Sequence, residues 1–194
     1  MILLKYIYQK PIDNQLIVCY NVAKQTINFM KGRWIFMKLL IEERIFTWGD
    51  RFTVRDEAGN DRYYVEGELF SWGKKLHVCD LSGREIAYIE QQIFTFKPRY
   101  SVYVSGQLIG EVVREFSFFR PHYTVEGADW DVEGDFWSHD YTVFRRGEPI
   151  VHIQKEWFTW GDCYALDIRD PRDELQALAL VLAIDCAVEQ ANNS

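Results

Sequence analysis

The chain has 194 residues, 48% of them apolar and 16% aromatic, a composition that excludes a disordered protein and predicts one domain with a sizeable core. Its formal net charge is −7, and an acidic surface repels the phosphate backbone, so nucleic acid is not an expected partner. The longest apolar run, residues 177–184, is too short to span a bilayer, and no export signal opens the chain. We therefore expect a cytoplasmic protein without a transmembrane segment, in which any contact with a membrane is peripheral.

Residues 1–36 differ from the rest of the chain in charge and rhythm. They carry a charge of +4, whereas residues 37–194 carry −11. Residues 31–34, with the sequence KGRW, can be encoded by codons that contain a purine-rich ribosome-binding sequence shortly before the codon of Met37. One hypothesis is that residues 1–36 are a non-native extension from a start codon assigned too early, and that the domain spans 37–194. The alternative is a genuine extension that adds a hairpin of residues 3–8 and 15–20. The nucleotide sequence and the intact mass of native protein distinguish the two.

From Met37 onward, an aromatic motif recurs six times at intervals of 20–24 residues. The copies are residues 45–50, 69–74, 93–98, 116–121, 136–140 and 157–162. A polar turn that contains glycine divides each interval, at Gly59, Gly83, Gly106, Gly127 and Gly147. Such a period is typical of a hairpin of two short strands, so aromatic corners and glycine turns alternate along a β-meander.

The segments between the aromatic copies and the glycine turns alternate apolar and polar residues, as strands with one buried face do. Twelve strands are predicted, near residues 38–45, 51–56, 62–68, 75–80, 85–91, 99–105, 108–114, 122–126, 130–134, 141–145, 149–155 and 163–168. An open sheet of that size would leave long exposed edges, and closure into a barrel removes them. The sequence therefore predicts a mostly β protein, a closed antiparallel barrel of about twelve strands.

The last element is a predicted helix from Pro171 to about Gln190. Asp170 and Pro171 are typical of a helix start, and residues 175–188 are apolar almost all round. A helix that is apolar on every side must be enclosed, and a twelve-stranded barrel is too wide for its own side chains to fill. We therefore expect this helix to fill the barrel. Asp185 is the exception within it, and an enclosed carboxylate needs a hydrogen-bonding or cationic partner unless it lies near the barrel mouth.

Three segments carry a family resemblance: residues 64–74 (YVEGELFSWGK), 130–141 (WDVEGDFWSHDY) and 157–162 (WFTWGD). They resemble bacterial members of the LURP-one-related family, within the tubby C-terminal-like superfamily, and the resemblance extends from Met37 to Val188. It implies a barrel that encloses a hydrophobic C-terminal helix. The superfamily includes phosphoinositide-binding tubby proteins and Cys-rich phospholipid scramblases, but this chain is acidic and lacks a Cys cluster. The bacterial branch provides no biochemical role and no catalytic residues to transfer.

His77 and Cys79 lie two residues apart on a predicted strand, so they face the same side and could be two metal ligands. Two ligands do not make a site, and an ordinary strand pair is the favoured interpretation. The acidic residues Glu126, Asp129, Asp131, Glu133 and Asp135 could gather oxygen ligands for Ca²⁺, but they lack the spacing of a calcium loop. A solvated outer face is favoured for them.

His139 and Asp140 suggest part of a catalytic triad, but no serine or cysteine lies in a recognisable nucleophile motif, and no phosphate loop is present. The aromatic corners could form a surface for lipid or an aromatic ligand, although packing within the barrel is the favoured role. We therefore predict no catalytic, cofactor-binding or metal-binding residues and leave the ligand-binding residues undefined.

These observations favour a non-enzymatic, cytoplasmic binding or adaptor domain of unknown ligand. The alternative is a phospholipid-associated or scramblase-like protein at the inner membrane surface, so a phospholipid or a protein is the partner considered. A third class, an enzyme with an unrecognised site, would require a deep polar pocket on which titratable residues converge.

Overall fold

The computed structural model describes residues 37–42, 51–68, 71–115, 122–136, 138–158 and 161–192. The described residues form twelve strands, a short 3-10 turn (Pro171–Asp173) and one α-helix, α1 (Glu174–Asn192). The strands are β1 (Met37–Glu42), β2 (Arg51–Asp56), β3 (Asp61–Gly67), β4 (Lys75–Cys79), β5 (Glu85–Gln92), β6 (Arg99–Val104), β7 (Gln107–Glu115), β8 (His122–Glu126), β9 (Trp130–Asp135), β10 (Asp140–Arg145), β11 (Glu148–Phe158) and β12 (Gly161–Ile168). Each overlaps its predicted range, so the predicted fold class is confirmed.

All twelve strands belong to one antiparallel sheet. The strand order is β8-β7-β6-β5-β4-β3-β2-β1-β12-β11-β10-β9, in which β1 pairs with β12 and every other neighbour follows along the chain. The two ends of this order, β8 and β9, lie against each other. No main-chain ladder joins their described residues, so the barrel is nearly closed and has one seam.

Alternation of side chains gives strands such as β2 and β4 one buried face, whereas β1, β6 and β12 carry consecutive buried residues. In β2, Phe52 and Val54 are buried, and in β4 Leu76 and Val78 are buried, as the period of two predicts. Four even-numbered strands also carry a register shift, after Val54, Val78, Val102 and Val143 respectively. Each shift lies at the end of the strand that precedes a glycine turn, and such bulges increase the twist that closes a barrel.

The helix α1 occupies the interior of the barrel. Every residue from Ala177 to Val188 is buried, and the helix contacts β5, β6, β7 and β12. The predicted N-cap at Asp170 is present, since its carboxylate accepts a hydrogen bond from the backbone N–H of Arg172. It caps the 3-10 turn, however, and the α-helix begins at Glu174, three residues after the predicted Pro171. The helix is therefore the core of the barrel.

Ion pairs fix the direction of this helix in the barrel. At its N-terminus, Glu174 pairs with Arg62 at 2.9 Å, and Arg62 lies next to the glycine turn between β2 and β3. At its C-terminal end, Glu189 pairs with Lys74, which lies in the aromatic corner between β3 and β4. The helix therefore runs from the glycine-turn end of the barrel to the aromatic-corner end.

Several predictions concern residues outside the described ranges. They include the extension 1–36 with its possible hairpin at 3–8 and 15–20, and the aromatic copies 45–50 and 116–121. The domain boundary at Met37 stays a prediction. Within the described ranges, α1 and the 3-10 turn are the helical segments, and neither has the length and apolarity that crossing a membrane requires.

Candidate functional site

Two aromatic corners lie side by side at one end of the barrel. They are the connections 68–74, between β3 and β4, and 93–98, between β5 and β6, and they are adjacent because β4 pairs with β5. Together they present Trp72, Ile93, Phe94 and Phe96, which we call the aromatic rim.

The large side chains of the aromatic rim are exposed to solvent. Phe94 is 91% exposed, Phe96 is 90% exposed and Trp72 is 76% exposed. The favoured prediction, that corner aromatics pack within the barrel, is therefore wrong for these three residues. It is correct for Phe136, which is buried at the seam, where its ring packs edge-on against Tyr123 at 4.8 Å between centroids. Exposed aromatic clusters on a folded surface mark places where another molecule binds.

Hydrogen bonds and close packing hold the two corners together. The backbone N–H of Gln91 donates to the carbonyl of Lys74 at 2.8 Å, and the Lys74 N–H donates to Gln91 Oε1 at 2.9 Å. Gly73 has a φ of +84°, and a Cβ there would lie 3.0 Å from Ile93 and 3.1 Å from the Gln91 carbonyl. Phe94 has a φ of +62°, which is rare for a bulky residue. The rim is thus presented by an interlocked pair of turns.

Three described cations beside the rim are held in ion pairs. Lys97 pairs with Glu115, and Arg99 pairs with Glu111 at 2.7 Å. Lys74 pairs with Glu189 at the C-terminal end of α1. These three positive charges are therefore neutralised, and the aromatic side chains are the main feature of the rim.

Asp185 lies inside the barrel, below the rim. It is 3% exposed, and its Oδ1 atom accepts a hydrogen bond from the Tyr141 hydroxyl at 3.4 Å. His139 Nε2 lies 3.7 Å from the same oxygen. The other oxygen, Oδ2, is buried and has no hydrogen-bond partner among the described residues. Asp185 therefore has the partner that the sequence predicted, but for one oxygen only.

Burial raises the pKa of Asp185 to about 7, because a low-dielectric interior disfavours the charged form. The hydrogen bond from Tyr141 and the charge of Lys74 act in the opposite direction, and the charge of Glu189 raises the pKa further. Burial likewise raises the pKa of the Cys186 thiol to about 12, so this thiol is not an activated nucleophile.

The side chains of His139 and Asp140 contact different partners. His139 faces Asp185 and stacks on Tyr164, with 4.2 Å between ring centroids. Asp140 instead lies 3.8 Å from His152 Nε2. The two residues therefore do not form the histidine–carboxylate pair of a triad with each other.

His77 contacts two carboxylates and not Cys79. Its Nδ1 lies 2.6 Å from Glu85 Oε2, and its Nε2 lies 2.9 Å from Glu68 Oε1. Burial lowers the pKa of His77, but the hydrogen bonds to these two carboxylates and their charges together outweigh it, so the pKa is raised overall. In the part of the chain that the structure describes, no group of three or more His, Cys, Asp or Glu side chains is arranged to hold a metal ion.

The acidic residues between β8 and β10 lie on the outside of the barrel. Asp131, Glu133 and Asp135 are exposed. Asp129 pairs with Arg146 at 2.5 Å, and Glu126 lies 3.5 Å from Arg99. This arrangement fits the solvated outer face that the sequence favoured.

Sequence reasoning missed the ion pair between Lys74 and Glu189, because 115 residues separate the two along the chain. A signal was present, since Glu189 follows Asp185 by four residues and thus shares its helix face. The exposure of Trp72, Phe94 and Phe96 had no comparable signal.

Comparisons with known proteins agree with this architecture. The family model described as LURP-one-related matches residues 37–185. The uncharacterized protein YxjI of Bacillus subtilis (strain 168) is 29% identical over 149 residues, which cover 77% of this chain and 92% of that protein. An X-ray structure of an Arabidopsis thaliana protein matches with a TM-score of 0.54 at 14% identity, over 79% of this chain and 91% of the other, which shows a shared fold. The chain therefore belongs to the LURP-one-related family.

Proposed function

We propose that this chain is a non-enzymatic binding or adaptor domain whose contact surface is the aromatic rim. The observation that carries the proposal is the exposure of Trp72, Phe94 and Phe96 on two adjacent, interlocked corners. Each such side chain gains about 1.5–3 kcal/mol when it is removed from water, so a partner that covers all three gains substantial binding energy.

The interior of the barrel supports a role without catalysis. The apolar side chains of α1 fill the space where a barrel would otherwise hold a ligand. Its buried ionisable groups are Asp185 and Cys186, and the pKa of Cys186 is raised to about 12, which keeps that thiol neutral. A groove of about 280 Å³ lies on the outer face, beside Glu85, Tyr88 and Tyr103, away from these buried groups.

A matched pair of variants tests the contact surface. In the rim variant, Trp72, Phe94 and Phe96 are replaced by serine. In the control variant, the exposed Leu81 and Leu108, which lie at the glycine-turn end of the barrel, are replaced by serine. Native mass spectrometry of each protein, purified from its own host together with whatever it retains, compares them with the wild type. We expect the control to keep the retained molecule and the rim variant to lose it. Equal retention by both variants would contradict the proposal.

Phospholipid association at a membrane surface is the second candidate function. It is favoured by the residue types of the rim, because Trp and Phe on protruding turns are suited to the headgroup region of a bilayer. The neutralised lysines and the charge of −11 over residues 37–194 argue against binding driven by anionic lipids.

Sedimentation with phosphatidylcholine vesicles tests this candidate. We expect the wild type and the control variant to sediment with the vesicles and the rim variant to stay in solution. Added salt and added anionic lipid should change the bound fraction little. If the wild type does not bind these vesicles, the lipid candidate fails, and a protein partner at the rim remains the object of the retention experiment.

A further inference from the structure

Lys74 interacts with two carboxylates of α1, one through an ion pair and the other through its charge alone. Asp185 and Glu189 are four residues apart, so they lie on the same face of the helix. The Lys74 ammonium pairs with Glu189 and also acts electrostatically on Asp185. The Lys74 side chain is 11% exposed and that of Glu189 is 29% exposed, so this pair lies at the mouth of the barrel and Asp185 lies below it.

We propose that Lys74 exchanges its carboxylate partner when Asp185 ionises, so that these three residues form a proton-operated switch beneath the aromatic rim. While Asp185 is neutral, Lys74 pairs with Glu189, as in the structure. When Asp185 loses its proton, Lys74 turns inward to Oδ2, the buried oxygen that has no hydrogen-bond partner among the described residues.

The reason is the cost of a buried charge. An ionised carboxylate inside a protein requires a cation or strong hydrogen-bond donors, and Glu189 can hydrate at the mouth while Asp185 cannot. The charged and titratable groups that face Asp185 come from several elements: Tyr141 on β10, His139 on the β9–β10 connection, Lys74 on the β3–β4 connection, and Cys186 and Glu189 on α1.

These neighbours differ in their access to Oδ2. Tyr141 and His139 both approach Oδ1, and His139 is stacked on Tyr164. The pKa of Tyr141 is raised well above its usual value by burial, so its hydroxyl stays neutral. Lys74 bears an ammonium group at the end of a long, flexible side chain. It is therefore the group suited to compensate an ionised Asp185.

The exchange alters charge at the rim and leaves the main chain in place. The backbone of Lys74 is fixed by its two hydrogen bonds to Gln91, so only the side chain turns. Glu189 is then left at the mouth without Lys74, and the mouth gains a negative charge. If the rim is the contact surface of the proposed function, on which this consequence rests, its charge becomes dependent on pH near neutrality.

Carbon- and nitrogen-detected NMR of the full chain tests the exchange without any ligand. The chemical shift of the Asp185 carboxyl carbon reports the ionisation of Asp185. The shifts of the Lys74 Nζ and the Glu189 carboxyl carbon report the exchange of partners. We expect the Lys74 and Glu189 signals to shift with the same midpoint as Asp185, and to stay constant over that pH range in the Asp185→Asn variant. The proposal is overturned if Asp185 titrates while the Lys74 signal does not respond, or if the response persists in Asp185→Asn.

A second pair of variants measures the effect of Lys74 on the pKa of Asp185. Lys74→Met should raise the pKa of Asp185 by about 1, because a nearby cation favours the ionised form. Lys97→Met is the control, since Lys97 lies beside the same rim but pairs with Glu115. An unchanged Asp185 pKa in Lys74→Met would refute the exchange. Because none of these signals depends on a bound partner, the switch and the proposed function can fail separately.

Discussion

Asp185 is an ionisable residue whose burial is energetically unfavourable. It lies in a helix that is buried from Ala177 to Val188, and one of its oxygens has no hydrogen-bond partner among the described residues. The sequence indicated the oddity, because a carboxylate interrupts an apolar run. It could not indicate the surroundings, since Tyr141, His139 and Lys74 come from strands and corners far along the chain.

The raised pKa of Asp185 predicts how stability changes with pH. In the unfolded chain the carboxyl ionises near 3.8, whereas in the folded protein it ionises near 7. Between these values the folded state holds a proton that the unfolded state has released, so the free energy of unfolding falls as pH rises. At about 1.4 kcal/mol per pH unit, the loss between pH 5 and pH 8 amounts to about 3 kcal/mol at most, because little more is lost above the folded pKa. Urea denaturation at pH 5 and pH 8 measures it.

The Asp185→Asn variant separates this effect from other titrations. His77 has a raised pKa as well, so it also contributes stability at low pH that is lost as pH rises through its folded pKa. The difference between wild type and variant isolates Asp185, and we expect the variant to be the more stable protein at pH 8. A wild type that loses no more stability than Asp185→Asn between pH 5 and pH 8 would show that this carboxyl is not held neutral.

At the scale of single elements, strands and helix could be predicted because their signals are local. Alternation in strands such as β2 and a glycine turn after each pair defined the strands, and the Asp170–Pro171 start with its apolar continuation defined α1. The roles of the corners could not be predicted. Phe94 and Phe136 occupy equivalent places in the repeat, yet one is exposed and the other is buried at the seam between β8 and β9.

The corner between β3 and β4 should be intolerant of any side chain at Gly73. Gly73→Ala combines a left-handed φ of +84° with a Cβ only 3.0 Å from Ile93, so we expect a loss of about 2–3 kcal/mol in the free energy of unfolding. Gly83→Ala is the matched control, because Gly83 has a φ of +82° but no atom within 4 Å of the added Cβ. It should lose about 1 kcal/mol. Equal losses in denaturant titrations would mean that the two corners do not interlock.

The helix α1 should contribute to stability as a core element. Leu182 is completely buried, so Leu182→Ala should lower the free energy of unfolding by about 2–5 kcal/mol through lost burial and the cavity left behind. Leu81→Ala, at an exposed position, should change it by less than about 0.5 kcal/mol. Thermal and urea unfolding compare the two, and a similar small effect for both would indicate that the helix is not the core.

At the scale of the barrel, the described residues form an apolar interior and present a distinctive surface at the aromatic rim. Closure of twelve strands around α1 accounts for the apolar composition, and it could be predicted because twelve paired strands without closure would expose long edges. The predicted closure is incomplete at the seam. There the side chains of Tyr123 and Phe136 are in contact, and no main-chain ladder joins the described residues of β8 and β9. The surface that remains to be explained is the aromatic rim, which barrel packing does not require.

Site-specific photo-crosslinking in the native host tests most directly that the rim is the contact surface. A benzophenone side chain replaces Phe94 in one protein and Leu108, at the opposite end of the barrel, in the other. After irradiation, intact mass and gel shift detect a covalent adduct with either a protein or a lipid. We predict an adduct at position 94 and none at position 108. No adduct at position 94, or the same adduct at both positions, would contradict the account.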